Sequence, residues 1–180
     1  MKLAYFAVAS VTLIMLSVPA IQAAPKANTS PTAQARVMLE QVDSLSASIA
    51  DTADRLSLQA RGQDDAQSDV SALDLIKDDV NKIGRDLQFL ESEQAELDQW
   101  ESRAVGEVLP LMHEVAENAE MAIKIFQSNR GHLWTTSFTE ETAKVSVEAE
   151  RVKGLIDGQL KLAALREQEQ RLEESTKLSR

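Results

Sequence analysis

Residues 91–101 read ESEQAELDQWE, and their reading decides between two folds. Upstream, Leu73, Ile76, Val80, Ile83, Leu87 and Leu90 recur at helical spacing, with Leu97 one heptad further on. Downstream, Val108, Met112, Val115, Ala119, Ala122 and Phe126 make a second stripe. Between them the apolar pattern thins, yet no glycine or proline marks a break. Asp98 and Glu101, however, have the spacing of a capping box, in which the N-cap and the third helical residue satisfy each other's backbone donors. A new helix starting there gives a hairpin. Without the break, one helix of about 60 residues would run for about 90 Å.

Working outward, the same grammar recurs on both sides. Ser30 followed by Pro31 is an N-cap with proline at the first helical position. Met38, Val42, Leu45, Ile49 and Leu56 then line one face of a helix to about Arg61, with Gly62 placed to end it. Asp64, Asp65 and Asp69 sit where a second helix dipole favours negative charge. They do not make an EF-hand loop, which needs its central glycine and terminal glutamate. After Phe126, Asn129 or Gly131 closes the third helix, and Ser137 with Glu140 offers another capping box. The last helix carries Val145, Ala149, Val152, Ile156, Leu160 and Ala163, beside Leu155, Leu162 and Leu165. No segment has the composition of a strand. The expected fold is all-α, an antiparallel up-down-up-down four-helix bundle over residues 31–168, because it buries more of each stripe than the rod does. Residues 169–180 read as a charged tail that frays.

The N-terminus, MKLAYFAVASVTLIMLSVPAIQA, has one lysine, an apolar run and a small-residue boundary, the order of a secretory signal peptide. Cleavage after Ala23 removes residues 1–23 and leaves residues 24–30 as a flexible leader. The run is short for a membrane span of roughly 20 residues, so the expectation is a periplasmic or secreted protein without stable membrane insertion. An uncleaved anchor is the alternative. The chain's net charge of −10 disfavours nucleic acid, whose phosphates it would repel. The absence of cysteine removes thiol catalysis, covalent haem attachment and cysteine zinc sites.

Chemistry-bearing residues are sparse. The two histidines are His113 and His132, and neither has a glutamate three residues before it, as a dinuclear bundle site requires. His113 and Glu117 could share an ion, but two ligands make a poor site. No nucleophile elbow or glycine-rich phosphate loop is present. These readings predict no enzyme, no metal site and no resident cofactor. Helix-interior glycines are more telling, since each costs about 1 kcal/mol relative to alanine. On the folded plan Gly84, Gly106, Gly154 and Gly158 fall near mid-bundle with Pro110 and His113. They mark either close helix packing or a small-ligand or haem-type pocket, with His113 or Met112 as an axial group. The connection NRGHLWTTSF, residues 129–138, holds two of the chain's few aromatics. Leu133, Trp134 and Phe138 would plug one end of the core, or, with Arg130 and His132 at the rim, dock a protein partner. Trp100 would plug the opposite end.

The run WESRAVGEVLPLMHEVAENAEMAIKIFQSNRGHLW, residues 100–134, resembles secreted, all-helical bacterial proteins with no assigned function. The resemblance implies export and a helical fold and carries no activity. The chain is also broadly similar to periplasmic helical sensor and stress-chaperone domains. It lacks the second membrane span of the former and the paired leucine-threonine-glutamine motifs of the latter. The function expected from all this is a protein-interaction or envelope-stress module with an unknown protein partner, and a homodimer is plausible. The small-ligand carrier is the alternative.

Overall fold

The computed structural model describes residues 31–59, 66–129 and 135–178. Among these, α1 (Pro31–Gln59), α2 (Ala66–Ser92), α3 (Gln99–Ser128) and α4 (Thr136–Leu178) are the only α-helices, and no strand occurs. Each helix packs on its chain neighbours, and α4 returns to pack on α1, which closes an antiparallel four-helix bundle. The signal peptide, the leader, the Ser30 cap, Gly62 and the aspartates Asp64 and Asp65 lie outside the described residues.

The decisive stretch is a hairpin. Ser92 Oγ donates to the Phe89 carbonyl at 2.7 Å, closing the end of α2. One 3-10 turn follows at Gln94–Glu96, and then Leu97 and Asp98 adopt extended backbone. Two extended residues reverse the chain, so neither glycine nor proline is needed. Asp98 and Glu101 form the capping box, with the Asp98 N–H donating to Glu101 Oε2 at 2.9 Å.

Side-chain bonds between helices fix the register. Gln41 Nε2 donates to Asp86 Oδ2 at 2.8 Å across α1 and α2. Gln159 Nε2 reaches Glu107 Oε2 at 3.5 Å across α4 and α3. Arg36 and Glu167 pair at 2.7 Å where α1 begins. The core comprises the expected stripes, with Leu39, Ile49, Leu56, Ile83, Leu87, Val108, Val152 and Ile156 essentially inaccessible. Burying each such side chain is worth about 1.5–3 kcal/mol relative to exposure.

Two expectations need correction. α4 begins at Thr136, and its cap is Thr135, whose Oγ1 accepts from the Phe138 N–H at 3.3 Å. Ser137 therefore lies inside the helix and is no cap. The charged tail expected from residue 169 is instead a continuation of α4, as exposed helix, to Leu178. No glycine or proline follows Gly158, and Arg171 pairs with Glu167 one turn back at 3.4 Å.

Candidate functional site

The mid-bundle layer exists in height but not in direction. The Gln159–Glu107 bond sets Gly158 beside the α3 turn that contains Val108. Yet Gly84, Gly106, Pro110, His113 and Gly154 are exposed, and Gly158 is half-buried. A Cβ added at any of the four glycines would meet nothing within 4 Å. Close helix approach therefore does not explain them, and they line no enclosed chamber. The His113 ring is exposed and its Nε2 lies 3.1 Å from Glu117 Oε1 along the same helix. Because Gly106 is open, water can reach the carbonyl that Pro110 leaves without an N–H.

Open helical glycines give a direct expectation. Gly106→Ala and Gly154→Ala should each stabilise the fold by about 0.5–1 kcal/mol in chemical denaturation. A loss of stability in either variant would mean that a neighbour crowds the site.

The aromatic connection is partly visible. Arg130, His132, Leu133 and Trp134 lie outside the described residues. Phe138 is 1% exposed, with its ring centroid 6.2 Å from that of Phe126 at an interplanar angle of 46°. It belongs to the core and cannot itself dock a partner. Trp100, half-buried against the core at the opposite end, fills the corresponding place there.

The structure does bring Gly84, Met112 and His113 together, in a place the sequence reading did not single out. They line an open depression of about 460 Å³ between α2 and α3. A second depression of about 420 Å³ adjoins it, sharing Val80, Asn81 and Ala116. Together they make a groove along the seam of α2 and α3. Its floor is apolar, including Val80, Leu109, Ala116, Ala119 and Ile123. Its charged lining comprises Lys77, Arg85, Lys124 and Glu120. Glu120 is bound to Lys124 at 2.7 Å, and that hydrogen bond holds its carboxyl below the ordinary range. Lys77 and Arg85 have no ion-pair partner among the described residues. A cationic groove in a chain of net charge −10 is a local reversal of sign. The signal for it lay in Val80, one step off the deepest line of the α2 stripe, and in the small residues Ala116 and Ala119 facing it across the seam.

A second surface is uncovered. Leu162, Leu165 and Leu172 are 49%, 57% and 60% exposed on α4. Among the described residues no group of three metal-capable side chains assembles, and no helix is long and apolar enough to cross a membrane. Set against protein-family models, curated proteins and solved structures, the chain matches none of them.

Proposed function

We propose that the protein is a non-enzymatic, exported helical module of the bacterial envelope, periplasmic or secreted, that works by binding another macromolecule. The observation that carries this reading is the α2–α3 groove, where an apolar floor and unpaired cations stay open to solvent. Helix-flanked grooves of this kind accept amphipathic helices, whose apolar side chains fill the floor while their charges meet the rim. The N-terminal run MKLAYFAVASVTLIMLSVPAIQA supports export. The small-ligand carrier has less support, because Gly106, Pro110 and Gly154 are exposed and Gly84, Met112 and His113 share only an open depression.

A photo-reactive amino acid at Asn81, which is exposed and lines both depressions, tests the binding reading in the source cell. Asn81 should yield macromolecular adducts well above those from the exposed control position Glu150. Equal, background-level yields at both would end the interaction reading. Export is tested separately by the N-terminal sequence of the protein recovered from the envelope or medium, which should begin at Ala24. Recovery of the intact N-terminus from the cytosol would remove the localisation.

A further inference from the structure

We infer that the α2–α3 groove is filled by the C-terminal end of α4 from a second copy of the chain. This rests on the interaction reading above and names its partner. The chain carries two unsatisfied surfaces, and their chemistry is complementary.

Arg36, in the second turn of α1, meets Glu167 of α4 at 2.7 Å, so little of α1 remains to cover α4 beyond that pair. From Gln168 to Leu178 every residue of α4 is exposed. This overhang of about eleven residues is about 16 Å long at 1.5 Å per residue. An isolated helix of that length is marginal in water, so a covering partner would hold it. At about 100° per residue, Leu162, Leu165, Glu169, Leu172 and Glu173 share one face. Arg171 lies on the opposite side, while Arg166 and Lys177 border the face. The exposed face of α4 thus presents Leu162, Leu165 and Leu172 with Glu169 and Glu173 among them, while Leu178 lies on the opposite side.

The groove is the counterpart. From Lys77 to Gln88 it follows α2 for about twelve residues, about 18 Å. Its floor is apolar, and Lys77 and Arg85 offer cations to Glu169 and Glu173. Glu120, the groove's own acid, suits the Arg166 border of the incoming helix. Gly84 gains an explanation that internal packing did not supply. With no Cβ on the groove wall, it lets a foreign helix backbone approach.

The overhang cannot reach its own groove. α4 packs on α1 and α3 and leaves the bundle as continuous helix, whereas the groove opens along the seam of α3 with α2. The contact therefore joins different copies, using one surface from each, and is heterologous in kind.

Sedimentation of the full chain tests the pairing through two double variants and their mixture. Lys77, Arg85, Glu169 and Glu173 are all exposed, so K77E/R85E and E169K/E173K should keep the wild-type circular dichroism and melting behaviour. Wild type should self-associate with rising concentration. Each double variant alone should lose affinity by about tenfold or more, because one like-charged face now meets another. An equimolar mixture of the two should recover association, since each supplies the surface its neighbour lacks. A wild-type chain that stays monomeric, undiminished association in either variant, or a mixture that fails to recover would each overturn the proposal. The Asn81 cross-linker separates this inference from the broader reading. Adducts to residues 162–178 of a second copy are expected. Adducts to a different molecule would overturn the tail-in-groove pairing while leaving an interaction protein, and no adduct would overturn both.

Discussion

Phe138→Ala should destabilise the bundle by about 3–5 kcal/mol, the usual cost of emptying a buried aromatic site. The ring is 1% exposed at the end of the bundle where α3 gives way to α4. There it meets Phe126 at 6.2 Å in a tilted pair, an arrangement worth about 0.5–1.5 kcal/mol beyond area burial. Its backbone is fixed as well. The Phe138 N–H is held by the Thr135 cap, and its carbonyl accepts from Thr142 Oγ1 at 3.0 Å. Few rearrangements can refill the space, because the neighbouring turn is already pinned. Phe126 is only half-buried, so Phe126→Ala should cost clearly less. Equilibrium urea denaturation of both variants checks the order. A loss below about 1 kcal/mol for Phe138→Ala would mean that the ring does not close the core. The aromatic cluster would then revert to a docking knob.

Phe138 also shows how much of the molecule was legible in the sequence. Its place beside a helix break, in a chain with seven aromatics, pointed to an end plug, and the structure puts it there. The hairpin at residues 91–101 was legible for a similar reason. A capping box satisfies specific backbone donors, and Asp98 with Glu101 has no comparable use inside a continuous helix. The glycine layer was legible only in part. Loop positions fix height along a bundle, and the Gln159–Glu107 bond agrees with the plan. Direction around the helix is a separate quantity. Gly154 stands two residues from both Val152 and Ile156, which are inaccessible, and two residues turn about 200° around a helix. The periodicity that located the core thus also placed Gly154 opposite it.

The α2–α3 groove left only the faint signal of Val80, Ala116 and Ala119. It arises from how far apart two helices settle, which depends on packing across the whole section of the bundle rather than on either stripe. The C-terminal overhang was hidden by composition. REQEQRLEESTKLSR reads as a solvated tail when its charges are counted. Placed on a helical wheel, Leu172 falls on one side with Glu169 and Glu173, in line with Leu162 and Leu165 earlier in α4. Only the structure, in which every residue from Gln168 to Leu178 is exposed, shows that its own bundle leaves this side uncovered.

Glu101→Gln should stabilise the protein at neutral pH by about 1 kcal/mol, and the gain should vanish in acid. Glu101 is inaccessible to solvent, and its Oε1 has no hydrogen-bond partner. Burial pushes its carboxyl above the ordinary glutamate value. The backbone bond from Asp98 opposes that shift, the Asp98 charge adds to it, and Arg36 opposes it. A buried polar group without a partner costs about 1–3 kcal/mol, more when charged. Glutamine keeps an oxygen for the Asp98 N–H and removes the charge, at the loss of a favourable carboxylate near a helix N-terminus. The direction with pH follows from the raised value. Between the unfolded value of 4.5 and the higher folded value, the native state binds more protons than the unfolded state. Stability contributed by Glu101 is therefore complete below the unfolded value and declines as pH rises through the folded one. Asp43 acts in the same sense, raised by burial and by Asp157 against Lys153 and Lys161. Glu101 and Asp43 should accordingly each contribute more stability as pH falls from 7 towards the unfolded values, with Glu120 acting in the opposite sense. Glu101→Gln should show a flatter profile, and Glu101→Gln with Asp43→Asn one flatter still. Glu101→Ala separates charge from capping. It removes both and leaves a void, so it should destabilise by about 1–2 kcal/mol at every pH. Urea denaturation at several pH values reads all four proteins. If Glu101→Gln instead weakened the fold at neutral pH as much as alanine does, the ionised carboxylate would be a net support of the hairpin, and its attraction to Arg36 and the helix end would outweigh its burial.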